Sequence, residues 1–417
     1  MISSYHYHNS KWYIDCNTFY NERIIAMKIH TVKRGETIDT ISDIYNVNPS
    51  VIRGVNYIPK GKALIEGQEL LILVPTRTYT TRYGDSQESV SSKFGIEKAS
   101  LLLNNPTLTT DSALKAGEVV SIRFTDTAKN VAMVNGYFYN GCDEIKLKNV
   151  MPFLTHLTVA TAIRDTNGLT VLFDDSAAVS MAHAYGKTPL LRIYDTTCND
   201  SLKDKPCAEN LCESIVALAK TRGYKGIVIA AFRSFEKENE HMLEFIVSLR
   251  KRLIENDMLL FTEIDEKCSL KYTDISDGSV LMYDKINVGD IPSFEEGEIR
   301  TFSKIASSTE SSKIFVDLPS LALLSNGRYV AYCEGIEKAK GSTIRLDEKA
   351  LLCKFDYTET DGKRHTAVLP SLKNTEAKLR LISELDFLGI SFDIMRAPIT
   401  YLSMFNALFK TAPYTSV

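Results

Sequence analysis

The 417-residue chain balances 49 Lys and Arg against 52 Asp and Glu, and 44% of it is hydrophobic. A net charge of −3 removes the electrostatic case for a nucleic-acid partner or an anionic membrane surface, and the length suits about two to four domains or one barrel with attachments. Eight cysteines without a CxxC pair or histidines at ligand spacing make a metal or other cofactor unexpected. No apolar run reaches the roughly 18 residues of a membrane span, so none is expected.

Residues 1–26 contain HYH, Trp12 and Cys16 and lack the basic start, apolar middle and small-residue cleavage site of a Sec signal peptide. Met27 directly precedes the first repeat and is an alternative start.

From His30, HTVKRGETIDTISDIYNV aligns with YTTRYGDSQESVSSKFGI from Tyr79, placing Gly35 opposite Gly84, Tyr45 opposite Phe94 and Asn56 opposite Asn105. Each unit, 27–74 and 77–125, reads strand, helix, helix, strand. In the first, Ile38, Ile41, Ile44 and Tyr45 are expected on one buried helical face. The pattern resembles the LysM module over nearly its whole length in both copies. That resemblance implies binding of N-acetylglucosamine polymers, peptidoglycan or chitin, in a shallow groove between two loops. In the first copy these are Gly35, Glu36, Thr37 and Ile38 with Asn56, Tyr57 and Ile58. In the second they are Gly84, Asp85, Ser86 and Gln87 with Asn105, Pro106, Thr107 and Leu108. The competing reading makes Gly35, Asn56 and their counterparts turn formers only.

From residue 129 to 417, short apolar strands alternate with amphipathic helices. The strands are VAMVNGYFY (131–139), LTVATAI (157–163), LLRIYD (190–195), IVIAAF (227–232), LLFTEI (259–264), SVLMYD (279–284), IFVDL (314–318) and ISFDIM (390–395). Helices are expected over 208–222, with a stripe of Leu211, Ile215, Leu218 and Ala219, and over 236–254. Eight such units fit an α/β (β/α)8 TIM barrel, with a small α+β insertion at about 326–369.

VNGYFY, AHAYGKTPLLRIYD, KGIVIAAF and SVLMYD together resemble the family 18 glycoside hydrolase domain of bacterial spore cortex-lytic and germination proteins, which carry two LysM modules in front. The resemblance implies a fourth strand ending DGxDxDxE, whose Glu protonates the glycosidic oxygen while the Asp two residues earlier orients the substrate's own N-acetyl group. Here those acids fall on Lys225, Val228, Ala230 and Phe232, and every carboxylate is missing. The family's strand-eight Trp falls near Asp393. Tyr137, Tyr283 and Asp284 match retained positions of a residual cleft.

Three readings follow. In the first, a glycan-binding protein with a non-catalytic barrel meets peptidoglycan or another N-acetylglucosamine polymer, together with spore coat or cortex proteins. In the second, an N-acetylglucosaminidase or chitinase-like hydrolase of cortex peptidoglycan uses a relocated acid, Glu236, its neighbour Glu238, or Glu263. In the third, the barrel binds a different small molecule or protein. The resemblance implies a spore or cell-envelope location.

Overall fold

The computed structural model describes residues 27–108, 113–124, 130–165, 168–196, 200–231, 235–236, 239–283, 292–359 and 362–411. The first repeat runs strand Met27–Thr31, helices Ile38–Tyr45 and Pro49–Val55, and strand Glu69–Leu73, its two strands pairing antiparallel. The second repeats this with Pro75–Thr80, Gln87–Phe94, Lys98–Asn104 and Val119–Phe124.

Local chemistry starts the helices. Thr37 and Ser86 each accept from the backbone N–H three residues on, and Thr40 and Ser89 return the bond, so two orphan donors are satisfied at each helix start. Gly35 and Gly84 take φ of 81° and 85°, which only glycine adopts without strain. Ile38 and Ile41 join Val51, Ile52, Leu70 and Ile72 in a small core. Ile44, expected on that face, is exposed instead, because 3.6 residues per turn carry it past the edge of the buried arc.

The eight barrel strands, numbered here one to eight, are Asn130–Phe138, His156–Asp165, Thr188–Asp195, Gly226–Ala230, Leu259–Ile264, Gly278–Leu281, Ile314–Asp317 and Gly389–Asp393. All pair in parallel in chain order, and strand eight pairs back to strand one to close the barrel. Side-chain alternation divides each strand between two cores. On strand four, Ile227 and Ile229 pack outward with the helices, while Val228 joins Tyr137, Leu190, Phe261, Val280 and Phe315 inside.

Helix Lys205–Thr221 buries Cys212, Ile215, Val216 and Ala219, so the expected stripe is shifted and Leu211 and Leu218 are only half-buried. Helix Glu240–Ile254 begins later than expected, because Asn239 caps the N–H groups of His241 and Met242. Glu236 therefore stands before the helix, exposed, rather than in its first turn.

After strand seven, a five-stranded antiparallel sheet runs from Leu321 to Pro370 and carries helix Tyr332–Lys338 on one side. The first module is fixed to this insertion. Ile344 N–H donates to Glu66 O at 2.9 Å, Lys62 pairs with Glu337, and Ile65 enters the insertion's own apolar core. At Gly67, φ 82°, an added Cβ would lie 1.8 Å from Ile344 O, so only glycine permits the approach. Met27, Val55, Leu71 and Leu73 also share one core with the barrel helices, and Glu69 accepts from the first N–H of helix Leu372–Glu384.

Candidate functional site

Strands three and five flank strand four, and each carries one charge at an inward position: Arg192 in LLRIYD and Glu263 in LLFTEI. The two meet across strand four. Arg192 Nε donates to Glu263 Oε1 at 2.6 Å and Nη2 to Oε2 at 2.8 Å, and the Tyr137 hydroxyl of strand one adds a bond to Oε1 at 2.7 Å. Beneath this bridge strand four offers only small side chains, with Val228 in register with Arg192 and Ala230 in register with both Glu263 and Tyr194.

Electrostatics agree with the geometry. Glu263 is fully buried, and such a carboxylate is tolerable only when paired and hydrogen-bonded. Burial works against the charge on Arg192, but the carboxylate outweighs it and raises the guanidinium pKa above its ordinary value. Burial, and then the nearby Glu263 charge, push the Tyr137 phenol well above the usual range, so it remains a donor. Glu263 accepts in each of these bonds, so both of its oxygens are engaged within the wall. Sequence reasoning missed Arg192. The signal was available in a charged residue at an inward position of an otherwise apolar strand, matched by another two strands away.

The other expected barrel residues scatter. Tyr139 stacks on Tyr137 with ring centroids 6.0 Å apart. Tyr283 turns outward and packs edge-on against Phe302 of helix Arg300–Ser308, which corrects its assignment to the cleft: on a strand whose inward positions are Val280 and Met282, it has the opposite parity. Phe232, Glu238 and Asp284 lie outside the described residues, and Lys225 precedes strand four. Asp393 ends strand eight and accepts from the N–H groups of Met395 and Arg396 at 2.8 and 3.2 Å; burial raises its carboxyl pKa.

In the repeats, most loop side chains serve the loop itself. Asn56 donates to Ile52 O and Leu71 O and accepts from Leu71 N–H. Asn105 does the same with Leu101 O, Ser121 O and Ser121 N–H. Each carboxamide thereby spends both N–H donors and one acceptor position in tying the second helix to the last strand. Glu36 accepts from Lys33 N–H and bonds His30, and Asp85 accepts from Arg82 N–H and the Tyr79 hydroxyl, so both acids close the first turn. Those backbone bonds are the main reason both carboxyl pKa values are lowered. Thr37 and Ser86 are the caps, and Ile38 and Gln87 are buried. Ile58 and Leu108 pack on the module cores, while Thr107 lies against Gly54 of the first module. Backbone groups and the exposed side chains of Tyr57 and Thr107 remain for a ligand.

Residues 30–73 and 79–123 each match the family model described as LysM domain, so the chain carries two LysM domains in front of a (β/α)8 barrel. Among solved structures, the spore cortex-lytic enzyme SleL of Bacillus megaterium QM B1551 superposes with a TM-score of 0.73 at 18% identity, over 94% of this chain and 100% of that one. A chitinase of Chromobacterium violaceum covers 66% of this chain and 98% of its own, with a TM-score of 0.58 at 15% identity. The fold is thus that of SleL and of the chitinase barrels. The chain is also related to YdhD of Bacillus subtilis strain 168, named as a sporulation-specific glycosylase, at 25% identity over 256 residues. That match spans 58% of this chain and 59% of YdhD.

Proposed function

We propose that this protein binds N-acetylglucosamine-containing glycan, foremost peptidoglycan, through its LysM domains, and that its barrel does not hydrolyse that glycan. The glycan class is supported by the LysM matches, and a setting in the spore or cell envelope by the spore-related names of SleL and YdhD. One observation carries the non-hydrolytic reading. Among the described residues, Glu263 is an inward carboxylate in register with Ala230, and it is spent in a buried bidentate pair with Arg192 on the far side of strand four.

Substrate-assisted hydrolysis needs a protonated carboxyl at bonding distance of the leaving oxygen and a carboxylate steering the acetamido group. The bridge supplies neither. Glu236 is exposed ahead of its helix, outside the barrel's inner wall. Asp393 has the raised carboxyl pKa of a possible acid, but its Oδ1 is committed to two backbone N–H groups. The test uses the intact chain: insoluble peptidoglycan should retain it, while chitotetraose and cortex fragments incubated with it release no reducing ends. Release that disappears in Asp393→Asn or Glu236→Gln would replace this reading with a hydrolase using a relocated acid.

A further inference from the structure

A cavity of about 300 Å³ opens at the seam between the first LysM domain and the barrel. One wall is the loop Asn56–Ile58, reinforced by Pro106 of the second domain. The opposite wall is helix Glu144–Val150 after strand one, with residues 396–400 after strand eight, and the first turn of helix Tyr332–Lys338 closes the side. The expected glycan groove of the first domain therefore runs into a chamber whose far side belongs to the barrel.

The lining specifies a neutral ligand. Each charged side chain on the wall holds at least one partner: Lys62 with Glu337, Glu69 through Oε2 with Leu372 N–H, Asp143 with Ile145 N–H, Lys146 with Met395 O at 2.6 Å, and Arg396 with Asp393. Two oxygens of the lining, the carboxamide oxygen of Asn149 and Oε1 of Glu69, are buried without a hydrogen-bond partner, an arrangement that calls for an incoming N–H or O–H. Tyr57 and Ile145 are large apolar side chains left exposed, one from each wall. Tyr57 is also strained. It occupies φ 52° at the end of helix Pro49–Val55, where Ile58 N–H bonds Arg53 O and glycine is the usual choice. An exposed aromatic held at a position that favours glycine has no packing reason to be there, whereas a ligand face to stack on gives it one.

We propose that this seam cavity is a saccharide subsite for one N-acetylated hexosamine unit of a glycan seated on the first LysM domain. The pyranose face stacks on Tyr57, the acetamido methyl meets Ile145 and the apolar wall, and the acetamido N–H or a hydroxyl satisfies Asn149. This rests on the glycan-binding reading and adds that the barrel forms half of the site. A bound chain then bridges domain and barrel.

Cys333, exposed on the cavity wall, supplies a local probe, and exposed Cys207 supplies an internal control. Full-length protein is alkylated with iodoacetamide with and without saturating chitotetraose, and the two sites are quantified by peptide mass spectrometry. Protection severalfold at Cys333 and none at Cys207 is expected. In parallel, Tyr57→Gly should bind chitotetraose about tenfold more weakly with undiminished thermal stability, since glycine relieves the backbone strain while the stacking face is lost. Ile145→Ser should weaken binding in the same direction. Chitotetraose binding with Cys333 unprotected and Tyr57→Gly unaffected would overturn the subsite and leave LysM glycan binding standing. Protection by a peptidoglycan stem peptide but not by the sugar would also overturn it. Failure of the protein to bind either chitotetraose or insoluble peptidoglycan would overturn both readings.

Discussion

Replacing Arg192 by Met removes the guanidinium that holds both oxygens of Glu263 while keeping an unbranched side chain of similar length in the wall. Glu263 is fully buried, and what remains to it is the Tyr137 hydroxyl on Oε1. Breaking a buried pair from one side costs about 3–5 kcal/mol, and the surviving phenol bond places the expected loss near the lower end, about 3 kcal/mol. The paired variant Arg192→Met/Glu263→Gln leaves no buried charge and keeps an acceptor for Tyr137, so it should recover to within about 1 kcal/mol of the natural protein. Urea midpoints of all three proteins at pH 8 decide the matter. A single-variant loss below about 1 kcal/mol at pH 8, or a double variant no more stable than the single, would show that the pair does not span strand four as a structural bridge.

Three further outcomes are expected. Ala230→Asp, which puts a carboxylate where the family 18 pattern leads one to expect it, should yield no reducing ends and should lower the urea midpoint, because position 230 is in register with Glu263 on the adjacent strand and sets two inward carboxylates side by side. His156 is buried between Phe261 and Phe315, and burial lowers its pKa from 6.5 to about 4. The unfolded chain takes up this proton first, so stability should be complete above about pH 6.5 and fall by about 3 kcal/mol as pH drops to about 4; His156→Phe should remove that part of the acid sensitivity in pH-dependent urea titrations. Asn105→Ala orphans Ser121 N–H and the carbonyls of Leu101 and Ser121, so the second LysM domain should lose about 2–4 kcal/mol, read as earlier amide exchange across Val119–Phe124.

What could be read from the sequence was what is local in the chain. The LysM repeats announce themselves through Gly35 and Gly84, the Thr37 and Ser86 caps and the spacing of Ile38 and Ile41, features that act within a turn or two. The barrel was legible for the same reason, since each strand-helix unit carries its own periodicity. Parity at strand ends was not. Strand six stops at Leu281, so whether Tyr283 faces the axis or Phe302 depends on two residues beyond the ladder. Nor were the uses of Asn56 and Asn105 legible, because a carboxamide in a loop looks the same whether it faces a sugar or a strand 15 residues away.

The least legible feature was the one that explains strand four. KGIVIAAF ends without a carboxylate, and burial is one reason for an apolar strand. Closing the barrel adds a stronger one. Arg192 and Glu263 are 71 residues apart and never adjacent on any one element, yet they sit on the two strands that bracket Val228 and Ala230. Their side chains can join only if whatever lies between them is small and uncharged. Among the described residues, the Glu263 carboxylate is neutralised on both oxygens by a partner two strands away, and Ala230 is the space through which that neutralisation reaches it.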